Sequence, residues 1–590
     1  VILTVSGARD QLQLSQSGLR FQTVANGGRP ANQSFAVFNA GGSGSIVFTT
    51  TASTVSGGNW LTAAASPSTA GPTSPGIVTV SINPSGLAAG DYYGQVRIAA
   101  KVDNSPQTVS IVLSVAAAGV PVRASVLPTG LVFVGQVGGS TLPIKPVTVS
   151  NPNPSALTYS TAKFYTNGNN WFNATPATGT VAAAGSATIN VQPNVTGLAA
   201  GIYLGELRLL FGDNTDARVQ IVLVVTSSSS NQQEGLSAGR DANCTPTKLQ
   251  PVFTQLGSNF GVVAAWPVPI ELVTVDDCGN FLTNGSVVAT FSTGDPPLSL
   301  LSLRDGRFSG TWQARKVASS VTITAAAQQA SPALSGSTSI GGALTANPKV
   351  PTVAAGGMVS AASYAGNQPL APGSFVSIFG ANLSNGLNQS KTLPLATQLG
   401  TTQAVLAGKA LPLQFAVDGQ INAILPYDIP VNTTLQLVVS NGPALSLPEP
   451  VVIASAQPAV FTKDLSGKGA GIVVGVKPSG AQYLVDTGSA LVPGDVAIIY
   501  CAGLGPVNPA VAAGTAAPLT TLSPTTNPVT VSIGGQNAQV LFAGLAPGFA
   551  GLYQINAVVP SGVTAAPDSP LVITVAGQKS TTVTVAVAAK

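Results

Sequence analysis

The sequence predicts an all-β protein that is organised as a tandem array of small β-sandwich domains. Apolar and polar residues alternate in short runs, as at Val78, Val80 and Ile82, and this pattern predicts strands with one buried and one solvated face. No segment keeps an apolar period of about 3.6 residues, so we expect few helices. An Asn-Trp pair at Trp60 returns 111 residues later at Trp171. A repeat of this length indicates that each copy is one folded unit.

Length and composition point to several domains and limit the classes of partner. The 590 residues exceed what one hydrophobic core organises. Only 7% are charged while 45% are hydrophobic, and the 65 glycines and 44 prolines supply turns. A net charge of +4 without a basic cluster lacks the electrostatic footprint of nucleic-acid binding. No apolar run reaches the ~20 residues that span a bilayer, so we expect neither nucleic acid nor a membrane span.

Two predicted modules, residues 10–117 and 122–226, carry the repeat. The segment Gly-Leu-Ala-Ala-Gly at 86–90 returns at 197–201, and both copies place a Trp strand before it and a Val-rich closing strand after it. This order resembles the BACON-type Ig-like domain. The resemblance implies an Ig-like sandwich in each module. Some members of that family occur beside carbohydrate-active enzymes and were proposed to bind glycans, so surface glycans are a candidate partner.

Trp60 and Trp171 are the candidate glycan-stacking residues of these two modules. An exposed indole ring provides a flat apolar face on which a sugar can stack. A Trp at the same place in each repeat is also typical of the residue that fills the centre of a β-sandwich. We favour the core interpretation for both residues.

A third Ig-like module, residues 244–344, follows a linker at 227–243. Its strings from Trp266 to Ile270 and from Asp305 to Trp312 resemble the Ig-like modules of the invasin and filamin kind in bacterial surface proteins. The adjacent carboxylates Asp276 and Asp277 suit a Ca²⁺ site between domains, but Asp also caps turns without a metal. We favour the turn.

The cysteines indicate an oxidising compartment. Cys244 and Cys278 lie 34 residues apart within one module, and we expect them to form a disulfide. Cys501 is then unpaired, and its apolar neighbours predict a buried packing role. The chain begins at Val1 without Met or a signal peptide, so either a leader has been removed or the chain is a mature or partial product. Together with the scarce charge, this predicts an extracellular or cell-surface location.

The remaining sequence forms two further modules, residues 358–455 and 456–590. The string Leu-Ala-Pro-Gly at Leu370 returns as Leu-Val-Pro-Gly at Leu491, an offset of 121. The whole segment resembles the uncharacterised C-terminal domain of exported proteins from Solibacter-type acidobacteria, and each half resembles an IPT/TIG Ig-like fold. The resemblance implies an exported array and carries no assigned activity.

An orphan strand within residues 1–9 precedes the first module. It matches the closing strands of the repeats, and its candidate residues are Val1, Ile2, Leu3, Thr4 and Val5. An isolated strand needs a sheet edge to satisfy its backbone N–H and C=O groups. The chain is therefore a piece of a longer array, or the strand lies on its own first module, or it completes a sheet in a neighbouring copy. The last possibility produces a head-to-tail homopolymer by β-strand addition.

The residues that most catalytic mechanisms need are absent from the sequence. The chain has no histidine, which removes Ser-His-Asp triads and His-ligated zinc, and it has only four glutamates. No phosphate-binding glycine loop appears. We therefore predict no enzyme, no catalytic residue, no cofactor and no metal. The leading hypothesis is a structural subunit of an extracellular bacterial filament or surface fibre. The alternative is a monomeric secreted adhesin or carbohydrate-binding surface protein.

Overall fold

The computed structural model describes residues 9–227, 244–316 and 318–590, so the predicted orphan strand at Val1–Val5 lies outside the described residues. Every regular element in the described residues is a β-strand, which confirms the predicted all-β array. This part of the chain contains no helix with the length and hydropathy of a membrane crossing. The modules group into two compact units. The first unit extends to Val102 and continues from Thr108 to Pro348, and the second contains Lys349–Lys590.

The first and second modules share one topology. The strands of the first module are β1 (Leu12–Leu14), β2 (Gly18–Val24), β3 (Gln33–Asn39), β4 (Ile46–Thr54), β5 (Leu61–Ala65), β6 (Thr69–Ala70), β7 (Gly76–Ile82), β8 (Gly90–Ala100) and β9 (Gln107–Ala116). Those of the second are β10 (Ser125–Leu127), β11 (Gly130–Gln136), β12 (Lys145–Ser150), β13 (Leu157–Tyr165), β14 (Phe172–Thr175), β15 (Thr178–Val181), β16 (Ser186–Pro193), β17 (Gly201–Phe211) and β18 (Asp216–Thr226). Their sheets have the orders β1-β3-β7-β5 with β2-β9-β8-β4-β6, and β10-β12-β16-β14 with β11-β18-β17-β13-β15. The sequence repeat is therefore a repeat of structure, strand by strand.

The third module is one eight-stranded sheet that folds over its own core. Its strands are β19 (Leu249–Phe253), β20 (Phe260–Val263), β21 (Pro267–Asp276), β22 (Ser286–Phe291), β23 (Leu298–Ser302), β24 (Arg307–Gln313), β25 (Ser320–Gln329) and β26 (Leu334–Thr345). Their order is β19-β21-β24-β23-β22-β25-β26-β20. Strand β20 therefore lies at one edge of this sheet.

The second unit contains the fourth and fifth modules. The strands of the fourth are β27 (Thr352–Ser360), β28 (Phe375–Ala381), β29 (Asn388–Gln389), β30 (Thr402–Leu406), β31 (Lys409–Ala410), β32 (Leu413–Val417), β33 (Gln420–Ile424), β34 (Thr433–Asn441), β35 (Ala444–Leu445) and β36 (Glu449–Ile453). Those of the fifth are β37 (Ala459–Val460), β38 (Val473–Val476), β39 (Gln482–Leu484), β40 (Val496–Ala502), β41 (Val529–Ile533), β42 (Gln536–Leu545), β43 (Tyr553–Val558), β44 (Ala566–Val575), β45 (Gln578–Lys579) and β46 (Val583–Val587). The fourth module has two sheets, and the fifth has one ten-stranded sheet.

Each module has a hydrophobic core of its own. The alternating run at β7 buries Val78, Val80 and Ile82 while the residues between them are partly exposed, as the period of two predicts. In the fifth module Cys501 is fully buried within the core, and burial raises the pKa of its thiol. Cys501 is therefore a packing residue.

The repeated tryptophans are core residues, which corrects their candidate role in glycan stacking. Trp60 is 2% exposed and Trp171 is 1% exposed, so neither indole offers a face to a ligand. Trp60 Nε1 donates to the Ser56 carbonyl at 2.8 Å, and Trp171 Nε1 donates to the Asn167 carbonyl at 3.1 Å. A buried indole needs such a partner, and both copies find it in the loop that precedes the Trp.

The turn that contains Asp276 and Asp277 is closed by hydrogen bonds and by a disulfide. Asp276 Oδ1 accepts hydrogen bonds from the backbone N–H groups of Cys278 at 2.9 Å and Asn280 at 2.8 Å. Asp277 accepts from the backbone N–H of Thr247 at 2.9 Å. Cys278 is disulfide-bonded to Cys244, with Cα atoms 5.7 Å apart. Asp276 thus caps the turn, and Asp277 joins the turn to residues 247–248. The described residues contain no cluster of three or more metal-ligating side chains.

Candidate functional site

The first and third modules are joined by buried polar side chains. Gln16 Nε2 donates to Ser309 Oγ at 2.6 Å, and Gln16 Oε1 accepts from Thr311 Oγ1 at 2.5 Å. At a second contact, Trp266 Nε1 donates to the hydroxyl of Tyr93 at 3.2 Å, and both side chains are buried. Because breaking such a contact leaves buried polar atoms without partners, these pairs fix the relative position of the two modules.

The second module packs on the third through apolar side chains of its parallel strand pair. A separate hydrophobic cluster contains Val132 and Val222 of the second module and Val252 and Val275 of the third. The backbone N–H of Thr129 donates to the carbonyl of Thr254 at 2.8 Å. Burial of this face explains why β18 is apolar on both sides, whereas a sheet with one solvated face alternates.

The first and second modules touch through a close backbone contact. The N–H of Gly28 donates to the carbonyl of Pro152 at 3.2 Å. A Cβ atom added at Gly28 would lie 2.5 Å from the Cβ of Ala184, so only glycine fits here. In the first unit, each of the three modules therefore contacts the other two.

A cleft of about 530 Å³ lies where the three modules meet, and we call it the junction cleft. All three modules supply an edge strand to its wall. These are β2 with Arg20 and Gln22, β10 with Ser125, and β20 with Gly261. The cleft exists only in the assembled unit, because no single module encloses it. Its volume lies within the range of about 300–1,000 Å³ that ligand pockets occupy.

Arginine and neutral hydrogen-bonding side chains dominate the polar part of the lining. The three cations are Arg20, Arg29 and Arg123. The neutral polar residues are Gln22, Gln33, Ser125, Thr148, Ser150, Asn151, Ser186 and Gln255. Among the described residues no aspartate or glutamate lines the cleft, and Pro30, Leu256 and Pro269 contribute apolar surface. The arrangement provides donors for an oxygen-rich ligand and holds no carboxylate that could act as a general acid or base.

Arg20 is the most constrained of the three cations. Its guanidinium carbon lies 4.9 Å from the centre of the Trp266 ring, and its Nη1 donates a long hydrogen bond of 3.5 Å to the carbonyl of Gly261. Its Nε is shielded from solvent and has no hydrogen-bond partner. Burial lowers the pKa of Arg20 to about 10, and the negative charge of Asp91 opposes that decrease. Arg20 therefore stays protonated at neutral pH.

Sequence reasoning did not find this cleft. The candidate residues Trp60 and Trp171 lie in two separate cores, and Cys244 with Cys278 closes a turn of the third module. The three arginines share no sequence motif. The one signal in the sequence is that charged residues are scarce, which makes each arginine a candidate for a specific contact. They become neighbours of one cleft only through contacts between modules.

Comparison with protein families confirms one of the predicted resemblances. A family model described as a viral BACON domain matches residues 11–116, the first module. No curated protein sequence matches the chain. The resemblances predicted for the other four modules stay predictions.

Several solved structures are similar to parts of the chain. A mixed-linkage glucan utilization locus protein of Bacteroides ovatus, SGBP-B in complex with a heptasaccharide, is 10% identical over 61% of this chain and 72% of its own, with a TM-score of 0.25. The CupB2 chaperone of Pseudomonas aeruginosa is 13% identical over 38% of this chain and 100% of its own, with a TM-score of 0.17. The PapD-like domain 7 of human CEP192 is 9% identical over 18% and 89%, with a TM-score of 0.17. At these TM-scores the similarities carry no argument about function.

Proposed function

We propose that the protein is a secreted or surface-exposed carbohydrate-binding protein without catalytic activity, and that the junction cleft is its binding site. The observation that carries this proposal is a cleft of about 530 Å³ whose three walls are fixed to one another by buried hydrogen bonds and apolar contacts. A pocket that is already formed orders few groups on binding, which favours affinity.

The lining chemistry supports a saccharide as the ligand class. Carboxamide and hydroxyl side chains both donate and accept hydrogen bonds, as sugar hydroxyls do, and Gln22, Gln255 and Ser125 are among eight such residues in the cleft. The apolar surfaces of Pro30 and Pro269 can cover the C–H faces of a sugar ring. The missing histidines and the lack of a lining carboxylate support binding without hydrolysis.

Two features support a location outside the cell. The disulfide between Cys244 and Cys278 persists in oxidising compartments. The low content of charged residues, 7%, also suits an exported β-protein.

A substitution that fills the cleft tests this function. Ser125 is an exposed residue of edge strand β10 and lines the cleft, so Ser125→Trp is expected to block the cleft without disturbing a core. Thr180→Trp, on an exposed position of β15 outside the cleft, is the matched control. The full chain should bind members of an immobilised glycan panel, Ser125→Trp should lose at least about tenfold in affinity, and Thr180→Trp should bind normally. Binding that survives Ser125→Trp would show that the site lies elsewhere.

A second candidate function, the structural subunit of an extracellular filament, is favoured by an exposed apolar surface in the fifth module. Leu519 is 76% exposed, Leu522 47% and Phe549 56%, and we call these three residues the apolar loop patch. Their loops are joined by a backbone hydrogen bond of 2.9 Å from Ala517 to Phe549. Exposed apolar clusters of this kind mark contacts with other chains. A second copy of the chain is the proposed occupant, and strand addition through Val1–Val5 stays a proposal of the same kind.

The filament proposal has a direct test. Negative-stain microscopy and sedimentation of the full chain should detect polymers, and Leu519→Ser combined with Phe549→Ser should return the chain to single particles. Val47→Ser, which removes an equally exposed apolar side chain in the first unit, is the control and should leave polymers intact. Single particles of the unmodified chain at high concentration would end this proposal.

We also make proposals about the families of the other four modules. We propose that residues 122–226 are a second BACON-type domain, which the identical strand order of the first two modules supports. We also propose that residues 244–344 are an invasin/filamin-like module and that 358–590 are the Solibacter-type domain with IPT/TIG-like halves. Their all-β sheets and separate cores support these assignments.

A further inference from the structure

The charge of the junction cleft is unbalanced. The whole chain carries 24 basic and 20 acidic residues, yet within the part of the chain that the structure describes three arginines and no acidic residue line this one cleft. Arg208, Arg218, Arg307 and Lys409 are among the cations that form ion pairs in the described residues, and Arg20, Arg29 and Arg123 are not. A cleft with walls of low dielectric strengthens the field of such charges. The cleft therefore attracts anions.

The guanidinium of Arg20 has a fixed orientation beside the cleft. Stacking on Trp266 and the bond to Gly261 fix its plane. Because Nε is shielded from solvent, the terminal Nη atoms are the donors that a ligand can reach. Arg29 and Arg123 are exposed at the cleft, and Arg123 Nη1 donates to the carbonyl of Asn259 at 3.2 Å, which leaves its other N–H groups for a ligand. Planar guanidinium groups bind carboxylate, sulfate and phosphate oxygens in pairs.

We infer that the junction cleft binds the anionic group of an acidic saccharide, a carboxylate or a sulfate ester, through Arg20, Arg29 and Arg123. This inference rests on the proposed carbohydrate-binding function and adds the class of ligand. The three arginines take the anionic group, and the neutral residues, among them Gln33 and Gln255, take the hydroxyls of the same sugar unit. A neutral glycan would leave the arginines without their strongest partners.

Three oligosaccharides and one peptide serve as probes for calorimetric titration of the full chain. A short oligogalacturonate carries carboxylates, a short sulfated galactan carries sulfate esters, and a neutral galactan carries neither. Poly-glutamate supplies carboxylates on a peptide. We expect one or both acidic saccharides to bind at least about tenfold more tightly than the neutral galactan, and their affinity to fall as salt is raised. The stronger of the two identifies the anionic group.

Arginine variants locate the site. Arg29→Gln and Arg123→Gln change exposed side chains and should each weaken the acidic saccharide by about tenfold or more. Arg20→Gln should do the same, and the two exposed variants keep the test valid if loss of the Trp266 contact impairs folding. Arg97→Gln, on an exposed position of β8 outside the cleft, is the control and should not change the affinity.

The outcomes separate this inference from the proposed function. Equal binding of neutral and sulfated galactan, unchanged in the arginine variants, would overturn the acidic ligand and keep carbohydrate binding. Absence of binding by every saccharide would overturn both. Poly-glutamate that binds through the same arginines more tightly than either acidic saccharide would show that the cleft serves a peptide and would also overturn the inference.

Discussion

The two units differ in how their β-sandwich modules pack against one another. In the second unit the fully buried Tyr553 lies at the junction of the fourth and fifth modules. Its hydroxyl donates to the carbonyl of Gly505 in the fifth module at 2.6 Å and lies 3.4 Å from the carbonyl of Pro372 in the fourth. Elsewhere between the same two modules lies a cavity of about 150 Å³, and Lys579 is the one charged residue that lines it. In the first unit three modules meet around a cleft of about 530 Å³ lined by three arginines. The junction of the fourth and fifth modules keeps little space, whereas the junction of the first three modules leaves room for a ligand.

The largest expected effect tests the packing at the junction of the fourth and fifth modules. Tyr553→Ala removes a buried aromatic ring from the second unit, and we expect a loss of about 3–5 kcal/mol in stability. Hydrogen–deuterium exchange at β28 and β40 would report it locally. Tyr553→Phe keeps the ring and should cost only about 0.5–1.5 kcal/mol. Similar effects of both variants would mean that the hydroxyl, and not the filling of space, holds this junction.

Reduction of the disulfide is the next largest effect and acts on the first unit. The bridge between Cys244 and Cys278 spans 34 residues, and the loop-entropy relation gives about 3–4 kcal/mol for a loop of this size. Exchange at β19 and β21 should therefore accelerate on reduction. A variant with both cysteines changed to Ala should show the fast exchange without reductant. If reduction left the unmodified chain unchanged, the bridge would not stabilise the third module.

A smaller effect should follow from widening the contact between the second and third modules. A Cβ atom at Gly130 would lie 2.3 Å from the carbonyl oxygen of Phe253, so Gly130→Ala forces the modules apart at an expected cost of about 1–3 kcal/mol. Saccharide affinity should fall with it, because the cleft depends on this contact. Gly44→Ala, where the added atom meets nothing within 4 Å, is the control. Normal affinity of Gly130→Ala would separate the cleft from the assembly of the modules.

The smallest expected effect is a loss of stability of the third module at acid pH. Partial burial would raise the pKa of Asp277, but hydrogen bonds from Thr247 and Lys248 outweigh burial and lower that pKa overall. The folded carboxylate then titrates below its unfolded value of about 3.9, so its stabilising effect is complete above that pH and is lost as pH falls further. Exchange in the third module should accelerate in this acid range. In Asp277→Asn the pH dependence should be weaker, and an unchanged profile would exclude Asp277 as its cause.

The sequence was sufficient to predict features that depend on local pattern or repetition. Alternation predicted β7, the repeat predicted that the first two modules share a topology, and spacing within one module predicted the pairing of Cys244 with Cys278. The core interpretation of Trp60 also followed from repetition, since a residue that fills a sandwich recurs with the sandwich.

The cleft could not be predicted in the same way, because it depends on contacts between modules. Arg20 and Arg123 are separated by most of a module in sequence, and Gly261 lies in a third. Each has the local appearance of an ordinary surface residue. They come together because the modules are held by contacts such as the hydrogen bond from Gln16 to Ser309, two residues nearly three hundred positions apart in the sequence. Local sequence periodicity contains no information about such a contact.

Hydrogen–deuterium exchange of the full chain with and without the oligogalacturonate or the sulfated galactan tests the central claim most directly. If the junction cleft is the binding site, saturating saccharide should slow exchange in β2, β10 and β20 and leave residues 349–590 unchanged. Protection confined to the second unit, or a bound saccharide that protects none of these three strands, would contradict the account.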